Sequence, residues 1–411
     1  MATTQLQNSM IETLDATKLT GSLPAVDGSS LTNLPETGEV LMKSADDPVT
    51  TTNPASGVGT IWLNTTTGKM FSCTDASNNA NVWESVTPTD TTSTIGPQWA
   101  YQGTEYGYSV GGMNRVGGPS SFFDDIARFS FASHGAASDV GNLLTNNTGV
   151  CGHKSIDKGW ASGGYDGTTG VQTIQNWSWQ SQADAVDHGV LTVSNVGPAA
   201  GHSTETYAYS SGGWHYGNST NFDKWQKFPY ASQTQAYVSS SLNFSGGFYQ
   251  HTGWSTDTDL YTAGGYDYGA PAGSRYISQI EKMQPASDNN STVCGNMSSF
   301  SGYNSGNNST THGFVHGGFD GTGNYYIDRI EKFTFASEGT AANWSSLVLP
   351  SYDHGGTQST THGYAISGVE VTWAWTMTEI YQYSYSSESN AVVDVGDITR
   401  CMTGSSDGIA K

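Results

Sequence analysis

Basic residues are scarce in this chain. Its 411 residues contain 15 lysines and arginines against 36 aspartates and glutamates, which gives a formal net charge of -21. A surface of that sign repels phosphate backbones and anionic lipid headgroups, so binding to nucleic acid or to a membrane surface is not expected. We interpret the acidic excess chiefly as a source of solubility.

Long apolar runs and patterned cysteines are also missing. No stretch approaches the ~20 apolar residues that a helix needs to cross a bilayer. Residues 1–5 lack the basic and apolar regions of a secretion signal, so we expect synthesis in a cytoplasm, where the protein stays until it is released. The four cysteines show no metal-binding spacing such as Cys-x-x-Cys, which favours free thiols and no metal site.

A repeat of about 50 residues fills most of the chain from about Trp99 to its end. Every copy contains a paired glycine after a short aromatic run. The pairs are Gly111-Gly112, Gly163-Gly164, Gly212-Gly213, Gly264-Gly265 and Gly317-Gly318, with Ser367-Gly368 as a degenerate sixth. A second segment, represented by residues 330–335, recurs in step with the glycines.

Each copy has the pattern of β-structure. In residues 330–335, Phe333 and Phe335 fall on one face of a predicted strand, as in a half-buried sheet. The glycine pairs end another strand, before loops of turn-forming residues. Three or four short strands per copy, without a helical period, predict a six-bladed β-propeller over residues 94–411, since stacked blades bury aromatic faces that one small sheet cannot. Residues 397–411 are expected to return to the first blade near Tyr106.

The repeat resembles the kelch repeat. That family has an apolar strand ending in Gly-Gly, an aromatic strand, a tryptophan a few residues later and a turn containing Arg or His. Residues 314–319, residues 330–335, Trp344 and residues 351–355 follow this order. The resemblance covers roughly three quarters of the chain and implies a kelch-like propeller.

The N-terminal part is of another kind. Residues 1–35 carry regularly spaced leucines between Gly, Pro, Asp and Ser, and this segment is too short to bury them within one chain. We expect it to be extended and ordered by identical neighbours around a symmetry axis. Residues 36–93 are predicted to form a small β module and a linker, with a hairpin at residues 59–73 and a further strand at residues 81–84.

Residues 14–34 resemble the shaft or collar segments of bacteriophage tail fibres, where Leu-Thr-Gly-x-Leu-Pro-Ala-x-Asp-Gly-Ser-x-Leu-Thr-Asn-Leu is a recurrent phrase. The small β module is similar to modules found in such fibres between the anchor and the tip. The resemblance implies a homotrimeric fibre that attaches to other virion proteins, of the tail or head, through its N-terminal segment.

No motif predicts catalysis. Residues 107–111 match the Gly-x-Ser-x-Gly string of serine hydrolases, but that motif requires a strand followed by a helix, and here it is the first copy of the Gly-Gly strand. We therefore expect no catalytic residues, no metal and no cofactor.

Aromatic residues interleaved with Asn, Asp and Gly follow the Gly-Gly strands. Such loops at one end of a rigid scaffold are suited to stacking on sugar faces and to protein recognition, while an alternative role is packing between blades. The predicted receptor-binding residues are Trp214, His215, Tyr216, Tyr266, Tyr268, Tyr325, Tyr326, Trp373 and Trp375.

The sequence thus favours a virion fibre or spike, assembled in the bacterial host cytoplasm and acting outside the next host cell, whose propeller head attaches to a host surface glycan or protein. Three copies of a weak site would supply avidity. Two alternatives stay open: a propeller enzyme that acts on host polysaccharide, and a purely structural head or tail decoration or adaptor protein.

Overall fold

The computed structural model describes residues 41–86, 94–95, 99–114, 121–193, 200–215, 220–244, 246–271, 274–299, 301–320, 325–370, 376–387, 392–398 and 409–411. These residues form strands, turns and loops without a helix, so the predicted all-β class is confirmed for them. Accordingly, none of the described segments is a helix that could span a membrane. The predicted extended segment of residues 1–35 lies outside the described residues.

The chain divides into two compact units between Pro97 and Gln98. The smaller unit contains one sheet with strand order β1-β2-β3-β4-β5. Its strands are β1 (Leu41–Ser44), β2 (Ile61–Asn64), β3 (Met70–Asp75), β4 (Val82–Ser85) and β5 (Thr94–Ile95). The predicted hairpin is formed by β2 and β3, which pair antiparallel around the Thr-Thr-Gly turn. Trp62, Phe71, Cys73 and Trp83 pack together because the alternation of each strand places them on one face.

The described part of the larger unit forms six sheets of three to five strands, with two additional two-stranded hairpins. Sheet 1 contains β6 (Tyr106–Asn114), β7 (Ser121–Ser130) and β8 (Ser138–Asn142). Sheet 2 contains β9 (Cys151–Lys154), β10 (Lys158–Ser162), β11 (Thr173–Ser178) and β12 (Val186–Val190). Sheet 3 contains β13 (Ala200–Ser203), β14 (Tyr207–Ser211), β17 (Lys224–Pro229) and β18 (Tyr237–Ser241), with β15 (Trp214–His215) and β16 (Thr220–Asn221) as a separate hairpin.

Sheet 4 contains β19 (Thr252–Ser255), β20 (Leu260–Ala263), β21 (Gln279–Met283), β22 (Thr292–Asn296) and β28 (Gly339–Thr340). Sheet 5 contains β23 (Ser305–Asn308), β24 (His312–His316), β27 (Arg329–Thr334) and β29 (Ala342–Ser346), with β25 (Phe319–Asp320) and β26 (Tyr325–Tyr326) as its hairpin. Sheet 6 contains β30 (Ser351–Tyr352), β31 (Gly355–Gln358), β32 (His362–Glu370), β33 (Thr376–Ser384) and β34 (Val393–Asp397). None of these sheets closes on itself.

Sheets 2 to 6 contact one another in order through their first strands, and the first strand of sheet 6 contacts β6. The contacting pairs are β9 with β13, β13 with β19, β19 with β23, β23 with β31, and β31 with β6 of sheet 1. Glycines permit this approach: a Cβ on Gly356 would lie 2.1 Å from the backbone oxygen of Gly306, and one on Gly201 would lie 2.2 Å from that of Gly152. Only glycine fits at such backbone contacts.

The C-terminus pairs with the first sheet, and the outermost strand of sheet 6 also bonds to the first sheet's copy. Ala410 forms an antiparallel bridge with Gly107, and the Lys411 amide donates to the Tyr106 carbonyl oxygen at 2.9 Å. The predicted return of the C-terminus to the strand near Tyr106 is therefore confirmed. At the outer edge, the Gly135 amide donates to the carbonyl oxygen of Val395 in β34 at 2.7 Å.

Apolar side chains between neighbouring sheets form the core. Ala127 and Phe129 of sheet 1 pack with Tyr364, Ile366 and Ile380 of sheet 6, and comparable clusters join the other sheets. Each cluster combines residues of two sheets, because the buried face of one short sheet is covered by its neighbour. The Gly-x-Ser-x-Gly string lies within β6, with Ser109 buried, and no helix follows it in the described residues.

A segment before β6 covers the far ends of the first strands. Tyr101 and Gln102 are buried there, and the Gln102 side-chain amide donates to the carbonyl oxygens of Asn308 and Ser359. The buried Lys154 ammonium nitrogen lies 3.1 Å from the Gln102 carbonyl oxygen. Sheets 2, 5 and 6 are thus tied to one segment.

Candidate binding surface

Three strand termini of each copy meet at one end of its sheet. In antiparallel order, the start of the first strand, the end of the second and the start of the third lie side by side. The Gly-Gly pairs stand at this end, which we call the Gly-Gly end. The opposite end, where a tight turn joins the first strand to the second, is the hairpin end.

Aromatic residues at the Gly-Gly end of sheets 3 to 6 form one connected group, the aromatic cluster. All its members are partly or largely exposed except Tyr352, which is buried. The members are Trp214, Tyr249, Tyr266, Tyr268, Tyr276, Tyr303, Phe319, Tyr326 and Tyr352.

The ring contacts run without interruption from sheet 3 to sheet 6. The Trp214 ring centroid lies 4.9 Å from that of Tyr268 and 5.6 Å from that of Tyr249. Tyr266 is 5.0 Å from Tyr276, whose ring stacks on Phe319 at 5.9 Å. Phe319 is 5.3 Å from Tyr326, and Tyr326 is 5.2 Å from Tyr352. These separations are those of favourable aromatic pairs, so the rings hold one another in place.

Backbone hydrogen bonds fix the rings further. Tyr249 and Tyr266 exchange two such bonds, of 3.2 Å and 2.8 Å, and Tyr266 also forms a bridge with Tyr276. Phe319 exchanges two bonds with Gly302, of 3.2 Å and 2.8 Å. The surface is therefore largely preformed. Ordering of the protein should reduce the free energy of ligand binding only slightly.

Three residues beside these rings have left-handed backbone conformations without being glycine. They are Gln250 (φ 56°), Tyr303 (φ 59°) and Asp353 (φ 56°), at equivalent places in sheets 4, 5 and 6. The equivalent residue in sheet 2 is Gly149 (φ 64°). A non-glycine residue in this conformation costs roughly 1 kcal/mol or more, and such strain is concentrated at functional sites in proteins.

Arg275 places a cationic group on the cluster. Its guanidinium carbon lies 5.2 Å from the Tyr268 ring centroid, and its Nη1 donates to the Tyr266 hydroxyl at 3.0 Å. Nε donates to the Ala270 carbonyl oxygen at 3.0 Å. These contacts use two of its five donors, so others can reach a ligand that stacks on Tyr268.

Burial keeps three tyrosine hydroxyls of the cluster protonated. Burial raises the pKa of Tyr249 and of Tyr276 to about 12, and it raises that of Tyr303 further. Neutral phenols both donate and accept hydrogen bonds, as hydroxyl-rich ligands require. The surface thus combines ring faces, phenol hydroxyls and one guanidinium.

The structure brings together four of the nine predicted receptor-binding residues. Trp214, Tyr266, Tyr268 and Tyr326 belong to the aromatic cluster, and Tyr268 is 53% exposed. His215 is partly buried next to Trp214 in β15 and takes no part in the ring contacts described above. Tyr216, Trp373, Trp375 and the side chain of Tyr325 lie outside the described residues.

Five further members were missed from the sequence: Tyr249, Tyr276, Tyr303, Phe319 and Tyr352. Three of them lie just before first strands: Tyr249 and Tyr352 at the same place in sheets 4 and 6, and Tyr303 one position later in sheet 5. Tyrosine before a first strand was detectable, but its place beside the Gly-Gly end follows only from the pairing of the strands.

A cavity of about 670 Å³ lies elsewhere, at the hairpin end between sheets 3 and 4. None of its lining residues is a member of the aromatic cluster. Within the described ranges, no group of three or more His, Cys, Asp or Glu residues is arranged to hold a metal ion.

No protein-family model matches the chain, and no curated protein has significant similarity to it.

Proposed function

We propose that the protein attaches to a carbohydrate receptor on a cell surface through the aromatic cluster. The observation that carries this proposal is the continuity of nine rings across four sheets, most of them partly exposed. Exposed aromatic rings bury large area on a ligand with little loss of side-chain freedom, and neighbouring phenol and guanidinium groups orient its hydroxyls.

We also propose that sheets 1 to 6 are the blades of a kelch-like six-bladed propeller. The proposal is supported by the contacts between the first strands of sheets 2 to 6, by the contact of β31 with β6, and by the hydrogen bond from Gly135 to Val395 of sheet 6. In such a propeller, the Gly-Gly ends of all blades share one side. A rigid support of this kind suits a broad binding surface, because separate loops are held in fixed relation.

The proposed place of action is inferred from the sequence alone. Because residues 14–34 and the small β module resemble bacteriophage tail fibres, we assign the protein to a trimeric virion fibre with a distal propeller head. It binds host glycan without catalysing its breakdown. Three equivalent surfaces would combine weak contacts into durable attachment.

Two measurements on the protein test this function. First, the solution mass of the full chain and of a truncated chain beginning at Thr94 is determined: a full-length trimer and a folded monomeric truncation are expected. A monomeric full chain would contradict the fibre assignment.

Second, the full chain is screened against an array of bacterial surface glycans, together with Trp214→Ala. Selective binding that weakens in the variant is expected. The glycan proposal fails if the folded full chain binds no member of the array.

A further inference from the structure

The cavity at the hairpin end has the dimensions of a ligand site. Its volume of about 670 Å³ lies within the range of small-molecule pockets. The turn of sheet 3 at Thr204 and that of sheet 4 at Thr256 line it, and Trp99 contributes a further ring. Pro285 and Ala286, which follow β21, also line the cavity.

One ammonium group already occupies part of this cavity. The Lys227 ammonium nitrogen lies 4.2 Å from the Tyr207 ring centroid and 5.1 Å from that of Tyr209. It also pairs with the Asp288 carboxylate at 2.8 Å, so its charge is neutralised. Two rings of the lining and the neighbouring Asp288 carboxylate therefore already hold one ammonium group.

Two additional carboxylates stand at the rim. Glu205 and Asp257 are exposed, and the described residues give neither of them an ion pair. Each occupies the second position of the turn between the first and second strands. The same turn recurs in sheets 2, 5 and 6, as shown by equivalent backbone hydrogen bonds from Ser155, Ser309 and Ser359.

In those other turns the second position is uncharged, with Ile156, Thr310 and Thr360. Carboxylates at this position are thus confined to the two sheets that border the cavity. Both carboxylates line the cavity, so they place negative charge at its rim.

We propose that the cavity binds a primary ammonium group carried on a short apolar stem. The stem packs against Trp99 and Tyr207, and the ammonium group lies between Glu205 and Asp257. The net charge of -21 raises the local concentration of cations and so favours such a ligand over a neutral one. The ammonium group can belong to a free amine or to a lysine side chain of a second copy of this chain.

The test is a calorimetric titration of the full chain with n-butylammonium chloride and, separately, with 1-butanol, which has the same shape without the charge. We expect n-butylammonium to bind at least about tenfold more tightly than 1-butanol. The double variant Glu205→Gln/Asp257→Asn should lose at least about tenfold in affinity for the amine. A control with the same change in net charge, Asp46→Asn/Glu84→Gln in the smaller unit, should bind as the wild type does.

Two results would overturn the proposal: absence of n-butylammonium binding, and binding that is equally strong in the double variant. Sedimentation with and without the amine then separates the two sources. A mass that falls when n-butylammonium is added identifies a lysine of another copy, whereas an unchanged mass identifies a free amine. Glycan binding at the aromatic cluster should be the same in all these variants.

Discussion

Replacing Lys154 by methionine should stabilise the protein. The Lys154 side chain is buried at the hairpin end, where its nitrogen contacts the Gln102 carbonyl oxygen at 3.1 Å. No carboxylate of the described residues forms an ion pair with it. Methionine has a similar length and is apolar, so it can fill the same space without a charge.

The magnitude follows from the cost of burying the ammonium group. Burial lowers the pKa of Lys154 from 10.5 to about 7. At about 1.4 kcal/mol per pKa unit, the full change corresponds to about 5 kcal/mol of lost stability. At pH 7, where the buried group is still about half protonated, roughly 4 kcal/mol of this loss applies. Loss of the hydrogen bond to Gln102 offsets about 1 kcal/mol. We therefore expect Lys154→Met to raise the free energy of unfolding by about 3 kcal/mol at pH 7.

The pH dependence supplies a second, independent signature. Between the lowered pKa of about 7 and the ordinary 10.5, the unfolded chain binds a proton at Lys154 that the folded protein does not. Because of Lys154, the free energy of unfolding of the wild type therefore rises with pH across this window. The variant has no such contribution, because methionine does not titrate. The advantage of Lys154→Met should shrink steadily as the pH rises from 7 towards 10.5.

Urea unfolding of both proteins at several pH values measures the difference in their free energies of unfolding. The contributions of other titrating groups cancel in this difference because both proteins contain them. Lys158→Met, at a partly exposed site on the neighbouring strand, is the control and should show no such pH-dependent gain. A variant that is less stable than the wild type at pH 7, or whose advantage does not change with pH, would refute the reasoning.

Three further predictions concern closure and binding. Deletion of residues 409–411 removes the buried Ile409 and the bonds to β6, and should lower the free energy of unfolding by about 4 kcal/mol in urea unfolding. Gly356→Ala places a Cβ 2.1 Å from the Gly306 oxygen and should cost about 2 kcal/mol or more, whereas Gly269→Ala, whose nearest contact is 3.3 Å, should be nearly neutral by the same measurement. Arg275→Gln should weaken glycan binding about tenfold with little change in the melting temperature, because the contacts of this side chain with Tyr266, Tyr268 and the Ala270 carbonyl oxygen lie at the protein surface; unchanged affinity would exclude Arg275 from the site.

The repeat made much of the fold predictable. In sheets 2 to 5 the glycine pairs marked strand ends because the left-handed conformations there favour glycine; Gly317 and Gly318 have φ values of 61° and 109°. Ser367 adopts the same conformation in sheet 6, with a φ of 58°. The covering segment at Tyr101 and Gln102 could not be predicted, since it belongs to no repeat. Its burial depends on hydrogen bonds to residues more than two hundred positions away, such as Asn308.

The binding surface was predictable only in part. Trp214 and Tyr266 directly follow glycine pairs, and their position in the chain identified them. Tyr303 and Tyr352 lie just before the first strands β23 and β31. The sequence alone does not show which strand ends lie next to each other. That information is contained in pairings such as Gly302 with Phe319, which join distant parts of a copy.

The most direct test of glycan attachment through the aromatic cluster is the affinity of Tyr268→Ala for the best glycan of the array. Tyr268 is 53% exposed, so the substitution should leave the fold intact. Loss of one stacking ring should weaken binding by about 1–2 kcal/mol, or roughly tenfold. Tyr237→Ala, at a comparably exposed tyrosine on β18, should bind as the wild type does. Equal affinities of all three proteins would show that the aromatic cluster is not the binding surface.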